Sequence, residues 1–493
     1  MTTTDLTASQ DAPRQPGDPP ATPSLAKRVA ASATNLAGRR FVLMLLSGLT
    51  AAAITRILGP TTYGSYGAAI ATWTLVGAAA DFGFSLVLSR DLARDAGSHR
   101  SMIRAAYHVG LMWSVPLALL LAGLAIAADP SSPRGLSMLV LAPSVIAFGL
   151  LPARTIFMVL YRTREMVLID VGVGVVQSAG MIAVAAAGFG APAIAAVVSA
   201  TTALNMGLIA LLARRHLKHQ PLGHYGRRRF ARRAAPLGLL SIMTQVYLMI
   251  DLVIIGWYIT GPSVGDYAAA SRMLVILTGV AGLVTSAALP AFSSQRDDRE
   301  DLQDLLARVW HWLVVTALPI FVGLALFAPL AVKIAVGPQY DGAIPLLRVL
   351  ALAGMLSVVA NFLGTLMVAT DQTRSLFLQN ALAITLNVGG NVLLLPRYGV
   401  IASAWLTAAT ELLVCAGAIL VMTRRLSFRR AAAVTVRPLI AILLAVGVAL
   451  ALSRWELVAA PACALAFVAA TTALHGWPKE FRIRVPGLPT SAA

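Results

Sequence analysis

Four arginines stand inside otherwise apolar stretches of this 493-residue sequence: Arg56, Arg154, Arg272 and Arg348. A guanidinium stays charged when removed from water and pairs two-pronged with phosphate oxygens, so such positions are candidates for holding an anion. The competing reading is structural, a long basic side chain reaching to lipid headgroups or locking a loop. Arg272 lies five residues inside its segment and suits either reading. Arg56 and Arg348 are kept as candidate cavity arginines, although their places near segment ends also suit a structural role; Arg154 suits a headgroup or an ion pair. Two carboxylates are equally out of place. Asp251 follows Thr244 and Tyr247 at a spacing that puts all three on one helical face, and Glu411 sits at the centre of another apolar segment. Asn380, Asn387 and Asn391 form a further stripe at helical spacing. Such acids can carry a proton or hold a sodium ion, and the alternative is bonding between helices. We expect Asp251 and Glu411 as ion-coupling candidates, and Thr244, Tyr247, Asn387 and Asn391 on the polar face of a cavity. The asparagines also suit interhelical hydrogen bonds, and Asp81 is expected to pair with Arg90 or Arg94.

No cofactor and no metal site is expected. His216, His219 and His224 are crowded by arginines that repel a cation, and the acidic run at 297–301 suits the start of a helix. Cys415 and Cys463 lie in apolar segments, away from any Cys-x-x-Cys pattern, and no Gly-x-x-x-x-Gly-Lys-Ser/Thr phosphate loop is present.

The elements that must position these residues follow from composition. The chain is 58% hydrophobic and 12% charged, with mean hydropathy +0.77. Charge is missing in blocks, as at 41–55, 105–128 and 309–332. About 20 apolar residues at 1.5 Å per residue match a hydrocarbon core of about 30 Å, where the backbone must satisfy itself as helix. We predict helices at about 41–58, 66–88, 105–128, 138–160, 167–188, 192–213, 235–258, 267–290, 308–329, 344–369, 376–395, 401–422, 437–452 and 458–475. The net charge of +18 would suggest nucleic acid in a soluble protein, but the basic residues cluster between apolar segments. With alternating helices and the N-terminus inside, 31 lysines and arginines fall inside against five outside. That asymmetry places both termini in the cytoplasm and makes the partner a phospholipid bilayer rather than nucleic acid.

The two halves repeat. Gly59-Pro-Thr-Thr-Tyr-Gly-Ser-Tyr-Gly-Ala-Ala69 is echoed by Gly261-Pro-Ser-Val-Gly-Asp-Tyr-Ala-Ala269, and His108 and Pro116 by His311 and Pro319. Pro143 is matched with Pro345, Thr163-Arg164 with Thr373-Arg374, and Arg214-Arg215 with Arg424-Arg425. Six helices per unit make the repeats parallel. The expected fold is therefore all-α and polytopic, with about 14 transmembrane helices in two parallel six-helix repeats plus two more. The boundaries are a disordered tail at 1–34, a lobe at 35–213, a basic linker at 214–234, a second lobe at 235–425, and two additional helices with a tail at 426–493. Two facing bundles suit a transporter with its substrate between them. At the repeat offset Arg56 faces Trp257 and Arg272 faces Ala71, so the charges are not duplicated although the turns are.

Thr55-Arg-Ile-Leu-Gly-Pro-Thr-Thr-Tyr-Gly-Ser-Tyr66, with Asp81-Phe-Gly83, Arg90-Asp-Leu-Ala93 and Leu395-Pro-Arg-Tyr-Gly-Val-Ile-Ala-Ser-Ala-Trp405, resembles the Wzx-type oligosaccharide flippases of the multidrug/oligosaccharidyl-lipid/polysaccharide exporter superfamily. The resemblance spans most of 35–425. It implies a two-lobed bundle that moves an undecaprenyl-diphosphate-linked oligosaccharide from the inner to the outer leaflet of a bacterial cytoplasmic membrane, for cell-surface polysaccharide. Polysaccharide polymerase and glycosyltransferases are the partners that such a pathway implies. A cation-coupled multidrug exporter of the same superfamily is the alternative. An integral-membrane glycosyltransferase or ligase fits less well, because it needs acids or histidines on sizeable loops, and the outer loops at 129–135, 261–266 and 397–400 are short.

Overall fold

A computed structural model describes residues 25–94, 99–218, 225–295, 298–452 and 454–478. The first described helix is α1 (Leu25–Asp81), so residues 25–34, expected within a disordered tail, are helical instead; it bends at Gly59, where φ is 71° and ψ is 171°. Glycine is needed there because the left-handed region penalises a Cβ, and Pro60 next to it has no amide to continue the helix. Then come α2 (Phe84–Arg94), α3 (His99–Ala127), α4 (Pro133–Ala147), α5 (Ala153–Val159), α6 (Thr163–Ala186) and α7 (Ala191–Leu217). The second half holds α8 (Arg227–Tyr258), α9 (Pro262–Ser294), α10 (Arg299–Leu326), α11 (Ala328–Ala335), α12 (Ala343–Ala369), α13 (Thr373–Tyr398) and α14 (Val400–Thr423). The last two helices are α15 (Arg429–Ala451) and α16 (Glu456–Ala473). Each of the fourteen predicted segments falls on helix. Among the described residues ten helices are long and apolar enough to cross a membrane, so this is an all-α, multi-pass membrane protein.

Local chemistry sets the helix starts. The Ser132 hydroxyl accepts from the Gly135 amide at 3.0 Å to cap α4, and Asp298 accepts from the amides of Glu300 and Asp301 to cap α10. The acidic run thus does serve a helix start, although Asp297, like His219 and His224, lies outside the described residues. The expected pairing of Asp81 with Arg90 or Arg94 is corrected. Its carboxylate accepts from the Ser85 amide at 3.2 Å and the Ser85 hydroxyl at 2.5 Å, capping α2 from one turn away. The acid that does meet an arginine there is Asp91, which accepts from Tyr225 and lies 3.4 Å from Arg233.

The repeat appears as repeated conformation. Gly59 and Gly261 both have positive φ and both precede a helix-starting proline. Pro116 lies inside α3 and Pro319 inside α10. After that the offset changes, since Thr163 and Thr373 start α6 and α13 with 210 residues between their numbers. The short α11 and the loop behind it account for the insertion. Pro143 lies inside α4 and Pro345 at the start of α12, so that pair is not equivalent and its match in the sequence is coincidental.

The core is joined at one end of the bundle and divided at the other. At the end of the glycine turns, one cluster takes Tyr63, Tyr66 and Ala68 from α1 together with Ile254, Tyr267, Ala268 and Tyr340 from the second half. At the end of the 214–234 linker there are two separate clusters. One runs from Phe84 to Leu217 with the start of α8, and the other from Phe292 to Ala431. Of the last two helices, α15 docks on α10, through Trp310 donating to Thr435 at 2.7 Å and Arg430 pairing with Glu300 at 2.9 Å and Asp304 at 2.5 Å, and α16 packs against α15.

Candidate functional site

Between the halves lies a cavity of ≈ 340 Å³. α1 and α6 wall one side, and α8, α9, α12 and α14 the other. The α1/α6 wall carries only neutral polar groups, among them Ser47, Thr50, Gln177 and Ser178. Among the described residues the three charged groups of the lining, Asp251, Arg272 and Glu411, come from the second half.

Asp251, on α8, is held by neutral donors. Its carboxylate accepts from Thr407 Oγ1 at 2.7 Å, Asn391 Nδ2 at 3.1 Å and the Tyr267 hydroxyl at 3.2 Å. Behind it Asn391 also donates to the Asn387 side chain at 3.0 Å and accepts from Ser403. α8, α9, α13 and α14 thus converge on one carboxylate. No arginine or lysine is paired with Asp251 among the described residues, so its charge is met only by dipoles, and a buried carboxylate without a counter-ion is costly. One turn along both helices, Tyr247 on α8 lies beside Glu411 on α14. Glu411 is buried, and its Oε2 has no hydrogen-bond partner among the described residues. Arg272 enters from α9, exposed to the cavity, and donates to Ser47 of α1, so it touches both walls.

The site residues separate into two sets. Arg272, Asp251, Glu411 and Tyr247 line the cavity together. Asn387 and Asn391 do not line it. They are buried behind Asp251 and orient it, because an amide needs partners on both its donor and its acceptor side and finds them between helices. The Thr244 side chain lies outside the described residues. Arg348 is exposed on α12 away from the lining.

Arg56 is also not a cavity residue. It donates to the carbonyl of Ile334 at the end of α11, which leaves carbonyls without helical partners. Next to it Gln339 donates to the Arg56 carbonyl at 3.1 Å, and Tyr340 donates to the Thr55 carbonyl at 3.1 Å. These bonds tie α1 to the second half at the glycine-turn end. There the backbones approach so closely that a Cβ on Gly64 would stand 2.6 Å from the Gly265 amide nitrogen, one on Gly67 2.9 Å from Ala268, and one on Gly256 2.6 Å from Ala68. Gly64 and Gly265 are repeat equivalents, so the duplicated turn packs on its own copy and seals this end.

Arg154 does not reach for headgroups. It pairs two-pronged with Asp170 at 2.9 and 2.7 Å. The sequence reading missed Asp170, although its signal was the one that picked out Asp251: a lone acid inside an apolar segment. Among the described residues no group of three His, Cys, Asp or Glu side chains could hold a metal ion.

A family model described as "polysaccharide biosynthesis protein" matches residues 53–345, more than half of the chain. The teichuronic acid biosynthesis protein TuaB of Bacillus subtilis is 26% identical over 121 residues, 24% of this chain and 25% of that protein. The probable low-salt glycan biosynthesis flippase Agl15 of Haloferax volcanii is 25% identical over 170 residues, 34% of this chain and 36% of that protein. The chain thus matches only a quarter to about a third of the length of these curated relatives. Among solved structures, the lipid II flippase MurJ in an inward closed conformation superposes with a TM-score of 0.69 at 14% identity, over 90% of this chain and 99% of that one. An inward-facing multidrug resistance MATE family transporter of the MOP superfamily gives 0.56 at 15% identity, over 79% and 96%. These two share the fold.

Proposed function

Because the chain belongs to the polysaccharide biosynthesis protein family, we propose that it is a flippase carrying an undecaprenyl-diphosphate-linked oligosaccharide from the inner to the outer leaflet of a bacterial cytoplasmic membrane by alternating access. It is a transporter, not an enzyme, and it works beside the glycosyltransferases and polymerase that make and consume its cargo. The observation that carries this reading is the cavity between the halves, with Arg272 reaching across it from a wall that also bears two acids. The test is reconstitution. In vesicles loaded with a lipid-linked oligosaccharide on one leaflet, the protein should speed its appearance on the other, and a rate equal to that of protein-free vesicles would overturn the proposal.

The working parts are two six-helix lobes, 35–213 and 235–425, within fourteen crossings. Both termini and the basic linker face the cytoplasm, so the glycine-turn seal faces outside. Reporter fusions after residues 220 and 425 should both score cytoplasmic; an external score for either breaks the assignment. The seal can be tested separately. Substituting leucine for Gly265 should force the outer ends of α1 and α9 apart. With Cys415 and Cys463 replaced by alanine, a cysteine at Ser271 should then react several-fold faster with an impermeant maleimide added outside. An unchanged rate would mean that the glycine contact is no gate.

The charges also suggest how a gradient enters. With both acids ionised, one arginine against two carboxylates gives the lining a net charge of −1, which repels a diphosphate. A cation or proton on each acid turns the lining to +1, so loading the acids and accepting the anion favour each other. The same two acids would suit a cation-coupled multidrug exporter, but Arg272 would then repel the cargo. Competition by an organic cation, with none by an isoprenyl diphosphate, would reverse the assignment.

A further inference from the structure

We propose that Arg39, at the linker-side rim of the cavity, is a second phosphate-binding residue, which captures the diphosphate of the substrate before it reaches Arg272; this rests on the flippase reading above. The observation is a buried cluster in the first half. Four helices converge on Asp170 of α6, whose side chain is 2% exposed. Arg154 of α5 grips it with both Nη atoms, and Asn205 of α7 donates to it at 3.0 Å and accepts from Arg154 at 2.6 Å. Arg39 of α1 adds an ion pair, its Nε 2.5 Å from the carboxylate but outside hydrogen-bond geometry. Two guanidiniums face one carboxylate, so the cluster keeps one unit of positive charge that the described residues do not balance.

That charge is available on Arg39. Asp170 meets only its Nε, through charge and without a hydrogen bond, and neither Nη atom makes a hydrogen bond to the described residues. The Arg39 side chain is 27% exposed against 15% for Arg154. A guanidinium ion-paired on its Nε side still offers a planar edge of Nη donors, the shape that fits two phosphate oxygens. Asp170 therefore aims Arg39, and Arg154 with Asn205 aims Asp170.

The position suits capture. Arg39 lies one helical turn before Leu43 and Asp170 one turn before Gly174, and both of those residues line the cavity. α1 and α6 start at the same end, where Thr163 meets Ser32 at 3.3 Å. A Cβ on Gly174 would stand 2.8 Å from Leu43 Cδ2, so α1 and α6 pack closely one turn above Arg39 and Asp170. The α1/α6 wall above this point carries no charge, and the repeat copies no part of the cluster. Its equivalents in the second half are Leu240, Gly364 and Asn380. Each half thus contributes its own arginine at its own depth, Arg39 at the rim and Arg272 within.

Phosphate chemistry is shared by an isoprenyl diphosphate and by phospholipid headgroups, and the test separates them. The purified protein in phosphatidylcholine nanodiscs is titrated with farnesyl diphosphate. Arg39→Gln should weaken binding about tenfold, the scale of a lost charge-assisted pair, while Arg40→Gln, its exposed neighbour, leaves it unchanged. The melting temperature should hold, because Asp170 keeps Arg154 and Asn205. Arg39→Lys, which keeps the charge but not the fork, should weaken binding several-fold and decides the matter if the glutamine variant fails to fold. Wild-type affinity in both variants overturns the proposal and leaves Arg39 as a tie between α1 and α6. So does a defect confined to stabilisation by added phosphatidylglycerol, which would make it a headgroup ligand. If Arg272→Ala weakens binding and neither Arg39 variant does, the flippase reading survives without this site. If the wild type binds no farnesyl diphosphate, both fall.

Discussion

Arg272→Ala is expected to abolish surface polysaccharide in a flippase-null strain while the protein remains at normal abundance in the membrane. Among the described residues Arg272 is the only positive charge in the cavity lining, and it reaches from α9 to Ser47 of α1. A hydrogen bond to a charged group contributes about 1.5–3 kcal/mol, roughly ten- to more than a hundredfold in affinity for each bond lost. Two parallel bonds to a diphosphate would place the variant below useful turnover. Arg272→Lys should be intermediate, because an ammonium supplies the charge but not the planar fork. If Arg272 only anchored to headgroups, lysine would substitute fully and alanine would lower protein level rather than output. Complementation measured together with membrane abundance separates these cases, and full polysaccharide output from a stable Arg272→Ala protein would remove the assignment.

The second large effect is expected at Asp251. Asp251→Asn keeps the shape and can still accept hydrogen bonds from Tyr267 and Thr407, but it cannot bind or release a charge. Gradient-driven transport in vesicles should fall to the rate seen without a gradient, whereas binding of an isoprenyl diphosphate should persist or tighten, because the lining loses a negative charge. Glu411→Gln should act in the same direction. Imposing a proton gradient and a sodium gradient in turn identifies the ion. Undiminished gradient-driven transport in both variants would take the acids out of the coupling. A loss of binding along with transport would instead make Asp251 a structural residue of the α8, α9, α13 and α14 junction.

Much of this was legible in the residues themselves. Apolar length and the absence of charge define the helices, because a segment that crosses hydrocarbon must be nearly uniform and must satisfy its own backbone. The arginine asymmetry and the doubled Gly-Pro turn are local patterns, readable without knowing what packs where. The same economy made Arg272, Asp251 and Glu411 visible, since an ionisable group in an apolar segment stands out whatever surrounds it. What a segment cannot show is which side of its helix faces the cavity and which faces a neighbour. Arg56, Arg348 and Arg272 look alike in sequence; only the packing sends Arg56 to the free carbonyl of Ile334, leaves Arg348 away from the lining, and turns Arg272 into the gap. Asn387 and Asn391 share a stripe that could have lined the cavity, but the packing of α13 against α8 and α14 puts them behind Asp251. The deepest dependence on tertiary structure is at Arg154 and Arg39. Their partner Asp170 is 16 residues from one and 131 from the other, and a pairing across that distance is fixed by where helices meet, which no local pattern encodes.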